Sequence, residues 1–134
     1  MQRRLPSFHD CLVVGYEVDC EARELKLHIK SPVSDAAQEG ISTVVFVDVQ
    51  GYHFEHDAFG NIVFDLECVP MDRFVTENRS ELNEFHRFGA LGLWAADLDA
   101  APAVLSGRGI QAFVLSASLG LTGWVLAKEV SVRA

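Results

Sequence analysis

The chain has 134 residues, 49% apolar and 22% charged, which is the balance of one folded domain rather than of a disordered segment. Its 19 acidic and 11 basic side chains leave a net charge of −8, which excludes phosphate backbones and anionic lipid as natural partners, since both are bound chiefly through clustered Lys and Arg. No apolar run approaches the ~18 residues of a membrane span, and three cysteines (Cys11, Cys20, Cys68), odd in number and without paired zinc spacing, predict reduced thiols in a bacterial-type cytoplasm.

The first strand is expected over 12–19, with Leu12, Val14, Tyr16 and Val18 as its buried face. After a turn at 20–23, a second strand over 24–30 points Leu25, Leu27 and Ile29 one way and Glu24, Lys26, His28 and Lys30 the other. Residues 31–40, with Pro32 and Gly40, read as a loop. A third strand is expected over 41–55. It opens with Val44-Val45-Phe46-Val47, apolar on both faces as in a central strand, and Gly51 marks a bend. The segment Asp57-Ala58-Phe59-Gly60-Asn61 has turn chemistry, and a fourth strand over 62–68 places Ile62, Phe64, Leu66 and Cys68 on one face. The third and fourth strands are expected to pair as a hairpin.

Beyond Pro70 the period becomes helical. Phe74, Leu82, Phe85 and Phe88 predict one amphipathic helix near 72–88, with Asp72 as N-cap, Gly89 as the C′ residue and Asn78 as a kink in the stripe. A short helical turn is expected near 101–105. A fifth strand over 110–119 is followed by the loop Gly120-Leu121-Thr122-Gly123 and a sixth strand over 124–132, whose apolar phase shifts at Lys128-Glu129 as a bulge would shift it. The sum is an α+β domain: a curved or partly closed antiparallel sheet of about six strands, with one main helix after the fourth strand. Phe46, Phe54, Phe64, Phe74, Phe85, Phe88 and Phe113 form its expected core.

Chemistry concentrates in Gly51-Tyr52-His53-Phe54-Glu55-His56-Asp57. At the two-residue period of a strand, His53, Glu55 and Asp57 share a face, and a histidine with two carboxylates is the donor set of a divalent metal or of an acid–base pair. Three such positions span ~13 Å along a strand, so at most two reach one ion unless the chain bends sharply. The simpler reading is a solvated strand end with its aromatic face inward, and no resident metal or cofactor is expected. His9-Asp10, before the first strand, is a second acid–histidine pair, more simply read as a hydrogen-bonded turn that fixes the strand's entry. No Gly-x-Ser-x-Gly elbow occurs, and the glycines at 89–92 and 107–109 lack the strand–loop–helix frame of a phosphate cradle. Trp94 and Trp124 adjoin glycine-rich segments, where an indole serves as an interface anchor or as a lid over the sheet's end.

Phe8-His9-Asp10 leading into the first strand, the segment 44–54 and the closing Gly120-Leu121-Thr122-Gly123-Trp124-Val125-Leu126-Ala127 together resemble small uncharacterised bacterial β-rich proteins, some of them similar to immunity proteins that neutralise toxins of neighbouring bacteria. The resemblance implies a compact β-rich intracellular binder and transfers no active-site residue. The expected function is non-catalytic binding of a protein partner, and a homo-oligomer is compatible with it. The alternative is a small enzyme or ligand binder that uses His53, Glu55 and Asp57.

Overall fold

The computed structural model describes residues 5–32, 40–88 and 97–133. Eight strands and three helices lie within them: β1 (Leu12–Asp19), β2 (Glu24–Lys30), β3 (Ile41–Val47), β4 (Gly51–Glu55), β5 (Asn61–Val69), α1 (Met71–Glu77), α2 (Arg79–Arg87), α3 (Ala101–Gly107), β6 (Gln111–Leu119), β7 (Thr122–Ala127) and β8 (Glu129–Arg133). All pairings are antiparallel, in one sheet of order β4-β7-β6-β5-β1-β2-β3-β8. The α+β class stands. The sheet is open rather than partly closed, with β4 and β8 as its edges.

Two bends turn six apolar runs into eight strands. After β3, Asp48 takes a left-handed φ of 54°, the Val49 amide donates to the Arg23 carbonyl, and β4 leaves in a new direction. Lys128 interrupts the last run at the matching height: its amide donates to the Val47 carbonyl while that of Gln50 donates to Leu126. β3 therefore pairs with β8, and β4 with β7. The bulge expected at Lys128 is thus a full break, and the expected bend lies at Asp48, just before Gly51. The expected hairpin between the third and fourth runs does not form. The turn at 57–61 does reverse the chain, but turn chemistry is local and does not choose the partner; β5 pairs with β6.

The first strand carries a bulge that alternation alone did not show. The register shifts between Val13 and Gly15, so Val13 faces the core opposite Ile29 while Val14 is left outside. Val14 and Tyr16, expected inside, are exposed. β2 keeps its expected alternation, with Leu25, Leu27 and Ile29 buried. Both faces of β3 are covered, because Val44, Val45 and Phe46 are all fully buried.

Two apolar clusters pack on the sheet. The first gathers Leu25, Leu27, Val44, Phe46, Phe113 and Val125. The second is roofed by the helices: Phe74 and Val75 of α1, Leu82 of α2 and Leu105 of α3 lie over Trp124 and Leu126. The single helix expected near 72–88 is two, because Asn78 leaves helical geometry (φ −115°) and its side-chain amide bonds the Phe74 carbonyl. Pro70, not Asp72, occupies the N-cap, and Asp72 sits in the first turn, where a carboxylate favours the helix dipole. Phe64 and Phe88, expected in the core, are exposed, and Phe85 is half-buried against the second cluster. Gly89, Trp94 and most of the loop expected at 31–40 lie outside the described residues.

Candidate functional site

β4 divides its side chains between two surroundings. Phe54 packs against the first cluster, whereas His53, register partner of Trp124, faces the helices. The arrangement follows from strand period two, with Trp124 and Leu126 on the helix side of β7 and Val125 on the other. Glu81, in the first turn of α2, completes the group. Its Oε1 accepts the Trp124 indole N–H, and its Oε2 lies 3.8 Å from His53 Nε2. Glu55 Oε2 is 3.4 Å from the same nitrogen. The Phe85 ring stands 5.1 Å from the imidazole and forms an apolar wall with Trp124. The side chains of His53, Glu81 and Glu55 are 26%, 31% and 47% exposed, so the group opens to water on one side.

Of the residues marked in the sequence, His53 and Glu55 therefore meet, and Asp57 does not join them. The strand ends at Glu55, His56 turns left-handed at φ 66°, and Asp57 is carried away. Its Oδ1 accepts from the Phe59 amide and the Asn61 side chain, and its Oδ2 accepts the Tyr16 hydroxyl at 3.0 Å. His9 and Asp10 pair with each other at 3.3 Å in solvent, where the His9 ring meets Phe64 edge-on. A turn is present there, closed by the Cys11 amide on the Phe8 carbonyl with Asp10 at φ 65°, while the Asp10 amide reaches across to the Val63 carbonyl of β5. Trp124 is only 3% exposed, hence a core residue and not a surface anchor. Sequence reasoning missed Glu81. Its signal is spacing: Glu81 and Phe85, four apart, share the helix face that flanks buried Leu82.

A second feature lies across the sheet. β1 pairs with β5 only at Leu12–Ile62 and Val13–Asn61, and beyond Val13 the flank of β1 away from β2 has no strand partner among the described residues. A groove of about 410 Å³ opens there, between Val14, Gly15 and Tyr16 of β1 and Asp57, Phe59 and Gly60 of the turn. Phe59 is 97% exposed. The Tyr16 ring meets Phe54 edge-on, which ties the open flank to β4. Asn61, buried at the floor, accepts from the Leu121 and Ala58 amides and so pins the turn to the sheet.

The groove is electrically one-signed. Hydrogen bonds from Asn61, the Phe59 amide and Tyr16 hold the Asp57 carboxyl below the usual aspartate range, while burial and the bond to Asp57 push the Tyr16 phenol up. Because the Asp57 value is depressed on folding, its contribution to stability is present above the ordinary carboxylate range and is lost as pH falls through the folded value. Thermal melts between about pH 5 and pH 2 are expected to show a shallower acid loss in Asp57→Asn than in the parent. Equal slopes would mean that the network does not hold the charge.

The fold and these two features define an α+β domain whose antiparallel sheet carries an open flank on one strand and a half-buried histidine–carboxylate group under its helices. No family model, curated protein or solved structure matches the chain. Among the described residues no helix is long and apolar enough to cross a membrane.

Proposed function

We propose that the chain is a non-catalytic binding protein of the immunity-protein-like type, which takes an extended segment of a basic protein partner along the open flank of β1. The supporting observation is the loss of β5 beyond Val13. It leaves a length of strand unpaired beside exposed Val14, Tyr16 and Phe59, and a bare strand edge is a ready template for strand addition. Asp57 is the charged residue lining the groove, Glu17 follows Tyr16, and the whole chain carries −8, so the complementary partner is basic. Of the sheet's two outer strands, β8 is a poorer template, because Glu129 and Arg133 blunt its ends. The setting is a bacterial-type cytoplasm, which suits three free thiols. The alternative, an enzyme working through His53, Glu55 and Asp57, has less support, since Asp57 is engaged with Tyr16 and Asn61 instead.

Affinity capture from the native host, followed by titration of the captured protein against purified variants, tests the reading. Val14→Arg puts a positive charge on the groove and is expected to weaken binding at least tenfold, whereas Phe88→Arg, on an exposed ring at the end of α2, leaves it unchanged. Affinity should also fall as salt rises. A partner that binds Val14→Arg as tightly as the parent sinks the assignment.

A further inference from the structure

We propose that His53, Glu55 and Glu81 form a binding site for a divalent first-row transition cation, held between β4 and α2. One ligand atom from each residue, the imidazole Nε2 and one oxygen of each carboxylate, lies within 4.8 Å of the other two. Tetrahedral coordination at about 2.0–2.2 Å requires donors about 3.3–3.6 Å apart. The Nε2 to Glu55 Oε2 separation of 3.4 Å meets this already, and the 3.8 Å to Glu81 Oε2 closes with a small rotation of the glutamate. The sequence alone argued against a metal here, because His53, Glu55 and Asp57 are strung out along one strand. Replacing Asp57 by a carboxylate from α2 removes that objection.

The surroundings are those of a site with one open position. Trp124, buried beneath, donates its indole N–H to Glu81 Oε1 and thereby leaves Oε2 turned to the imidazole. A hydrogen bond to one oxygen of a ligating carboxylate fixes the direction of the other. Phe85 and Trp124 exclude water from one side, while the exposed side of Glu55 admits a water ligand. One imidazole with two carboxylates suits Zn²⁺, Mn²⁺ or Fe²⁺ better than the softer ions that prefer thiolates.

The probes are Mn²⁺, a hard ion with little affinity for the exposed Cys20 thiol, and Co²⁺, whose sulfur-to-metal charge-transfer absorption would betray ligation by a cysteine. The purified chain, stripped with chelator and dialysed, is titrated by calorimetry, and the visible absorption of Co²⁺ reports its geometry. One ion per chain is expected, with tryptophan fluorescence changing in step. Glu81→Gln keeps an oxygen to accept the indole N–H but removes the charge, and it is expected to weaken binding at least tenfold while the melting temperature of the metal-free chain stays close to that of the parent. His53→Gln is expected to do the same. No saturable binding by the parent, or binding that neither variant weakens, overturns the site.

Discussion

Gly123→Ala is expected to destabilise the protein by about 3 kcal/mol, close to the upper end for overpacking a well-filled site. Gly123 lies in β7 opposite Phe54. A Cβ built there overlaps the His53 carbonyl oxygen and comes within 2.6 Å of Phe54 Cδ1. The backbone oxygen cannot rotate away, so relief requires β4 to move off β7. That movement breaks the ladder carrying His53 and Glu55 and draws Phe54 out of the first cluster. Urea melts measure the effect: the midpoint should fall sharply with little change in slope. A cost below about 1 kcal/mol would show that β4 does not approach β7 so closely.

Phe74→Ala carries the other large expected effect, about 3–5 kcal/mol. The ring is fully buried, meets Trp124 edge-on with centroids 5.2 Å apart, and joins α1 to the sheet. Truncation leaves a cavity that the helices fill only in part. Phe85, which the sequence placed equally deep, is half-buried, so Phe85→Ala should cost clearly less. Paired melts decide the point, because equal losses would mean that α2 packs as deeply as α1.

What was legible in the sequence was mostly a matter of period. Leu25, Leu27 and Ile29 gave the face of β2, and Val44-Val45-Phe46 the doubly covered β3, because burial selects side chains at the pleat's own spacing. What escaped was set by backbone geometry and by long-range partners. The left-handed residue at Asp48 is not a glycine, so the composition signal fell on Gly51 and pointed to a bend within one strand rather than a break between two. The bulge at Val14 leaves an alternating pattern nearly intact while putting Val13 rather than Val14 on the core face. Tyr16, register partner of buried Leu27, keeps its expected face and is exposed where β5 no longer pairs with β1. Asn78 was visible as a break in the stripe and does end α1. In the candidate metal site, His53 and Glu55 were legible as neighbours on a strand face. Glu81 was not, since it arrives from a helix 26 positions further on, and a single sequence holds no record of that approach.

The claim that matters most is that β1 docks a partner along its open flank, and amide hydrogen exchange of the free chain against its complex with the captured partner tests it most directly. In the free chain the β3 amides, covered on both sides, should exchange slowly, and half of those in β1 beyond Val13 should exchange fast. On binding, the expected result is new protection concentrated in residues 14–19, with a smaller gain at 57–61. Protection gained along β8 or over the helices, with 14–19 unchanged, would contradict docking at the open flank.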